Sequence, residues 1–546
     1  MFSKVYSAAI HGIDGLIVSV EADVSNGLPV FDMVGYLGSE VKEARERVRI
    51  ALRNAGYLLP AKRITVNLSP ADIRKEGTAF DLPVAIAILT AFGHLPEEEL
   101  KDFLIIGELS LDGKVNKVNG VLPIVYSAKQ QGFTKCIVPR GNAGEGAAVA
   151  GIQVFGVSTL KEAAELLLGP KGKALECMDQ RELFGGSLTG KGELFEENRR
   201  KMSGGKISEG GQGNLIEEDT EEDSAQGLPD FSEVAGQRAA KRAIEVAVCG
   251  MHNILMIGPP GSGKTMLAKR IPTIMPELSF EESMEISKIY SIAGLLGQQP
   301  LVTRRPFRSP HHTITTTALV GGGATPKPGE VSLSHLGVLF LDELPEFQKN
   351  TLEVLRQPLE EKSVTISRLR GSYQYPAGFM AVAAMNPCSC GYYPDRNRCN
   401  CTINMVKRYL GRISQPLLDR FDICMEALPM NYKELQQQEA QESSSAIRKR
   451  VSMARQIQLE RYRGQNIYFN SELTPRAIKK YCKLEAKEQE LLEEAFVRMN
   501  LSARAYHRIL KVARTIADMD QSEEITTRHI SEAICYRSID QKYWGE

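Results

Sequence analysis

The run Gly258-Pro259-Pro260-Gly261-Ser262-Gly263-Lys264-Thr265 has the residue types and spacing that hold a phosphate chain. Glycines let backbone N–H groups curl around an anion, Lys264 reaches the β- and γ-phosphates, and the Thr265 hydroxyl suits Mg²⁺. The apolar run Ile254-Leu255-Met256-Ile257 in front reads as a buried strand. Met266-Leu267-Ala268-Lys269-Arg270 behind reads as a helix whose N-terminal dipole faces the same phosphates. A second apolar run, Gly337-Val338-Leu339-Phe340-Leu341, closes on Asp342 and Glu343. As a strand next to the phosphate-loop strand it would bring Asp342 to the Mg²⁺, with Glu343 orienting and polarising the water that attacks the γ-phosphate. A third run, 379–385, ends at Asn386, whose amide suits the γ-phosphate or that water. Arg420, in Leu417-Leu418-Asp419-Arg420-Phe421-Asp422, offers a guanidinium to the charge of a phosphoryl in transfer. Taken alone, the two acids are also compatible with a helix cap, and Asn386-Pro387 with a turn.

Cys388, Cys390, Cys399 and Cys401 crowd into fourteen positions of a chain that has ten cysteines in 546. Four thiolates in two pairs form a closed tetrahedral Zn²⁺ site, although C-x-C is tighter than the usual C-x₂₋₄-C; reduced structural thiols are the alternative. With zinc bound, Arg396 and Arg398 sit on a rigid knuckle able to meet phosphate. The other cysteines, Cys136, Cys177, Cys249, Cys424, Cys482 and Cys535, are scattered and carry no function. Arg304, Arg305, Arg308, His311 and His312, followed by Gly321-Gly322-Gly323, form a basic insertion suited to a loop on DNA phosphates or simply to a solvated loop. Adjacent histidines point apart in regular structure, so no metal is expected at His311 and His312.

These side chains need elements to hold them. Strands alternating with helices after residue 229 predict an α/β core with a mostly parallel sheet, and long helical stretches at 433–463, 474–498, 503–519 and 526–537 predict an all-α unit. The expected domains are 1–168, of α+β character; 169–228, a flexible acidic linker; 229–430, the nucleotide-binding core; and 431–546, a helical lid. Basic and acidic residues balance at 67 each, so a nucleic-acid site must be a local patch. No apolar run approaches the ~18 residues of a membrane span, so no membrane partner is expected. Sparse cysteines and the lack of a leader pattern predict a reducing cytoplasm.

In order, the phosphate loop, the Asp-Glu strand, Asn386, 417–422 and Ser502-Ala503-Arg504 resemble the AAA+ signatures of magnesium-chelatase ATPase subunits and MCM helicases. Three longer strings, Leu228-Pro229-Asp230-Phe231, 305–313 (RPFRSPHHT) and 328–335 (PGEVSLSH), resemble the ComM/YifB family of magnesium-chelatase-like proteins, over essentially the whole chain except the linker. The resemblance implies ATP and Mg²⁺ as ligands, Asn386 as sensor 1, Arg504 as sensor 2, and Arg420 as an arginine finger acting on the neighbouring subunit's ATP. It therefore implies a homo-oligomeric ring, a hexamer. The function it implies is an ATP-driven motor on branched or single-stranded DNA, performing branch migration during recombination of incoming DNA in natural transformation. A chelatase-like ATPase that remodels a protein partner or assists metal insertion is the alternative, and a nucleotide-switched scaffold without translocation is a third reading. Residues 70–85 and 107–113 resemble the Lon-protease domain, of ribosomal S5 domain 2-like fold. Aligned so, the nucleophile position falls at Ala79 and the lysine position at Leu122, which leaves no dyad and implies a non-proteolytic scaffold for ring assembly or DNA. Thr78 with Lys117 or Lys129 would be a shifted dyad.

Overall fold

A computed structural model describes residues 1–72, 74–169, 229–297, 299–323, 326–368, 371–429, 441–465 and 467–544. The linker expected at 169–228 lies, apart from Gly169, outside the described residues, as does the expected boundary at 430/431.

The first region is built on a seven-stranded sheet in the order Phe31–Val34, Arg63–Ser69, Asp14–Ser25, Phe2–His11, Phe103–Ile105, Lys135–Pro139, Gln153–Val157. Its centre is an antiparallel hairpin running from Phe2↔Asp23 to His11↔Asp14, while the strands that follow Phe103 add in parallel. The helix Asp81–Ala91 is apolar on every side after its first residue and is buried at every position. Its buried Asp81 is held by Arg47 Nε at 2.8 Å. Burial raises the Asp81 carboxyl above its ordinary range, and Arg47 opposes this.

The second sheet has five strands, ordered Phe307–Arg308, Val338–Leu341, Met380–Met385, Ile254–Ile257, Ile423–Glu426, all parallel. Strands covered on both faces read as unbroken apolar runs, and the three central strands are buried at every residue. Successive side chains go to opposite faces. Ile254, Met256, Phe340 and Val382 join one apolar cluster with the helix Lys264–Ile274, whereas Leu255, Ile257, Leu339 and Ala383 join another. The first cluster also takes Ile447, Val451, Ile509, Ile516 and Ile530, so the C-terminal helices Ser444–Arg461, Ala503–Met519 and Thr527–Trp544 cap that face. The strap between the sheet and the C-terminal helices is polar: Arg508 and Arg537 both donate to the Phe421 carbonyl, at 3.1 and 2.7 Å.

Three expectations need correction. Asp342's strand is not next to the phosphate-loop strand, because Met380–Met385 lies between them. The insertion before it is not all loop: Phe307–Arg308 is the edge strand of the sheet, pairing with Val338 and Leu339. The helical stretch expected at 474–498 is two helices, Pro475–Tyr481 and Ala486–Arg498, and the residue types carry no marker of that break.

The two halves share a core. Met284 and Leu301 pack with Leu122, Ile124 and Val125 of the first region, Lys288 lies 3.5 Å from the centre of the Tyr126 ring, and Gly120 N donates to Ser291 O at 3.1 Å. No described helix is long and apolar enough to cross a membrane.

Candidate nucleotide site and cysteine knuckle

The loop 258–263 links the end of strand Ile254–Ile257 to the helix that starts at Lys264. Gly261 and Gly263 have φ of +75° and +77°, the left-handed region that favours glycine. Gly258 is required by space instead, since a Cβ there would lie 2.2 Å from the Ala427 carbonyl oxygen. The Lys264 ammonium donates to Gly258 O at 2.8 Å, Pro259 O at 2.9 Å, and Ser262 Oγ and Asn386 Oδ1 at 3.3 Å each. Burial lowers its pKa and Asp342 opposes the shift. Gln237 Nε2 donates to Ser262 O at 2.8 Å, bracing the loop from the preceding segment. Nothing in the residue types marked Gln237 for this.

Thr265 Oγ1 donates to Asp342 Oδ2 at 2.7 Å, and the other Asp342 oxygen accepts from Glu343 N at 2.9 Å. Hydroxyl and carboxylate oxygens are the hard donors that Mg²⁺ takes, and here they converge beside the lysine, so these residues fit that ion. Glu343 has a left-handed backbone, φ +51°, and an exposed carboxylate 3.7 Å from His312 Nδ1. Nothing in the residue types placed His312 beside Glu343. Contrary to expectation, the rings of His311 and His312 lie together, with centroids 4.0 Å apart, rather than diverging.

The basic insertion is corrected in part. Arg305 is buried, donating to Pro276 O at 2.6 Å, Leu336 O at 2.8 Å and Glu282 at 2.9 Å. Arg308 forks onto both oxygens of Glu330, at 2.6 and 2.8 Å. Both cations are used internally, while Arg304 is exposed. Gly321–Gly322 does form one arm of a short antiparallel hairpin.

Arg420 is only 6% exposed, pairs with Glu360 at 2.6 Å and donates to the Arg356 and Pro416 carbonyls. Arg504 is exposed in the first turn of Ala503–Met519, and among the described residues it makes no hydrogen bond to the phosphate loop. Ala79 packs against the apolar cluster that contains Leu122, and the Thr78 hydroxyl bonds Glu108 rather than a lysine.

The four thiols Cys388, Cys390, Cys399 and Cys401 converge, with all sulfurs within 4.8 Å of one another. The sulfurs of Cys388 and Cys390 are 3.3 Å apart, those of Cys390 and Cys399 3.5 Å, and those of Cys388 and Cys399 3.8 Å. These are non-bonded separations, and they match the ~3.8 Å edge of a tetrahedron with Zn–S of about 2.3 Å. The donor set fits a zinc ion. Gly391 of the same loop lies against the phosphate loop, where a Cβ would come 2.5 Å from Pro260 Cδ.

A parallel sheet that carries a phosphate loop and an acidic pair, beneath a helical C-terminal region, fits an AAA+ ATPase. The family described as "Magnesium chelatase, subunit ChlI" matches residues 230–435, "Subunit ChlI of Mg-chelatase" matches 20–142, and "Magnesium chelatase, subunit ChlI C-terminal" matches 441–537. Competence protein ComM of Haemophilus influenzae is 40% identical over 536 residues, covering 98% of this chain and 97% of that protein. YifB of Escherichia coli is 40% identical over 541 residues, 99% and 97% of the two chains. A shorter similarity, 33% over 119 residues, covers 21% of this chain and 25% of the DNA repair protein RadA of Halalkalibacterium halodurans. The chain belongs to the ComM/YifB family of magnesium-chelatase-like AAA+ proteins.

Proposed function

We propose that this protein is an ATP-hydrolysing, ring-forming motor that acts on DNA. The observation that carries the ATPase part is the convergence of Lys264, Thr265, Asp342 and Asn386 at one end of the sheet. Lys264, with the backbone N–H groups of the loop, binds the β- and γ-phosphates. Thr265 and Asp342 would hold Mg²⁺, which would supply neutralising charge to those phosphates. Glu343 orients the attacking water and accepts its proton, and the Asn386 amide holds water or γ-phosphate in line. Arg504 closes the lid over the nucleotide. Arg420 serves the neighbouring subunit's ATP, which requires release from Glu360 as a hexameric ring closes.

The DNA substrate is supported by two relatives, one named a competence protein and one a DNA repair protein. The concrete role is branch migration of incoming DNA in the cytoplasm during transformation. Residues 1–168 form a Lon-like, S5 domain 2-like scaffold without a protease dyad, 229–430 the motor core and 431–546 its lid. The thiolates of Cys388, Cys390, Cys399 and Cys401 would hold a structural zinc ion and so fix the knuckle. A second reading, a chelatase-like motor on a protein partner, is favoured by the family descriptions. Steady-state ATPase with and without branched or single-stranded DNA separates the two: stimulation by DNA supports the first, and a rate indifferent to DNA supports the second.

A further inference from the structure

A chain of zero net charge must concentrate any phosphate-binding charge locally. Residues 387–412, the cysteine knuckle and the helix Ile403–Leu410 behind it, carry five basic residues, Arg396, Arg398, Lys407, Arg408 and Arg412, against one acid, Asp395. Arg412 is occupied by Glu346 at 2.8 Å. The other four are exposed, and none has a carboxylate within ion-pair distance among the described residues. This is the reverse of Arg305 and Arg308, whose charges are consumed inside the fold.

The knuckle arginines are also held in place. The Arg398 guanidinium lies 4.1 Å from the centre of the Tyr392 ring, and Arg396 lies 5.3 Å from Tyr393 while donating to Cys401 O at 3.3 Å. A guanidinium held over a tyrosine keeps N–H groups on its rim directed outward. It has already lost much of its rotamer freedom, so less is lost when it meets a phosphate. Cys388, Cys399 and Cys401 share one apolar cluster with Val406, Tyr409 and Leu410, so knuckle and helix present their charges as one body. Gly391 against Pro260 ties that body to the phosphate loop.

We infer that Arg396, Arg398, Lys407 and Arg408 form a binding face for the sugar–phosphate backbone of DNA. The inference rests on the DNA-motor reading and states where the DNA touches. Because the contacts are to phosphate, they act independently of base sequence and through counterion release.

The test uses the full-length protein and a fluorescein-labelled single-stranded oligonucleotide, titrated at several NaCl concentrations. Arg396→Ala/Arg398→Ala and Lys407→Ala/Arg408→Ala are each expected to weaken binding and to reduce the slope of log K against log salt by about 1.4, roughly 0.7 per phosphate contact. Arg398→Lys, which keeps the charge and loses the planar guanidinium, is expected to lower affinity with the slope unchanged. Arg49→Ala/Lys161→Ala, removing two exposed charges from the first region, is expected to leave the slope as it was. If the knuckle pair lowers Tm, the exposed helix pair decides. Unchanged slopes in both patch pairs, with DNA binding intact, overturn this face and leave the motor reading standing. Absence of salt-sensitive DNA binding by the unaltered protein overturns both.

Discussion

Thr265 Oγ1 lies 2.7 Å from Asp342 Oδ2, joining the helix after the phosphate loop to a strand two places away in the sheet. That pair defines where Mg²⁺ belongs in the proposed ATPase. Asp342→Asn keeps the shape and removes the charge. The expected result is ATPase activity reduced by about 10²–10³-fold, as for loss of one electrostatic group at a transferring phosphoryl, with Tm within about 2 °C of the parent. Steady-state phosphate release across a Mg²⁺ titration checks it.

The thiol cluster predicts a bound metal. Elemental analysis of protein purified without chelator is expected to give close to one zinc per chain, and less than about half an equivalent counts against a closed site. Stripping the metal is expected to lower Tm, because the knuckle is part of the apolar cluster on that face of the sheet. Gly391 against Pro260 gives a second consequence, a weaker affinity for ATP in the stripped protein.

Arg305 predicts stability rather than DNA affinity. Its buried guanidinium satisfies the carbonyls of Pro276, Leu336 and Glu277 and the carboxylate of Glu282. Arg305→Ala leaves those acceptors without their donor and is expected to cost about 3 kcal/mol, the low end for a broken buried pair because Glu282 keeps some solvent. Chemical denaturation measures this, and the salt slope of DNA binding should not move.

Acid sensitivity follows from Asp422. Burial alone would raise its pKa, but the hydrogen bond with His252 and the nearby cations Arg508 and Lys511 hold the carboxyl well below the usual carboxylate range. A depressed carboxylate contributes stability that is present above its unfolded pKa of about 3.9 and is lost as pH falls through the folded value. Asp422→Asn is therefore expected to be less stable than the parent at pH 7, with the difference shrinking below about pH 4. Denaturation midpoints at the two pH values test it.

Much of the candidate nucleotide site was legible in the residue types. Gly258 to Thr265, Asp342 and Asn386 are tied to local rules, a loop around an anion and polar groups at strand ends, and the fold places all of them at one end of the sheet. Sheet order was not legible. Val338–Leu341 and Met380–Met385 are equally apolar, and nothing in either run says which lies beside Ile254–Ile257. Arg305 and Arg308 read like Arg304 until distant partners, Glu282 and Glu330, are brought to them. Gln237 and His312 reach the site through tertiary placement alone. The cysteine spacing, tighter than usual for zinc, still brings four sulfurs together because the intervening loop folds back on itself.

Whether DNA stimulates hydrolysis across a subunit boundary is decided by the ATPase rates of the parent and of Arg420→Ala with and without DNA. Stimulation by single-stranded or branched DNA is expected in the parent, and its loss in Arg420→Ala. Partial recovery is expected when Arg420→Ala is mixed with Glu343→Gln, since in a mixed ring an intact Arg420 meets an intact Glu343 at some boundaries. An ATPase rate indifferent to DNA in the parent, or an Arg420→Ala protein as strongly stimulated as the parent, would contradict DNA-driven hydrolysis across a subunit boundary.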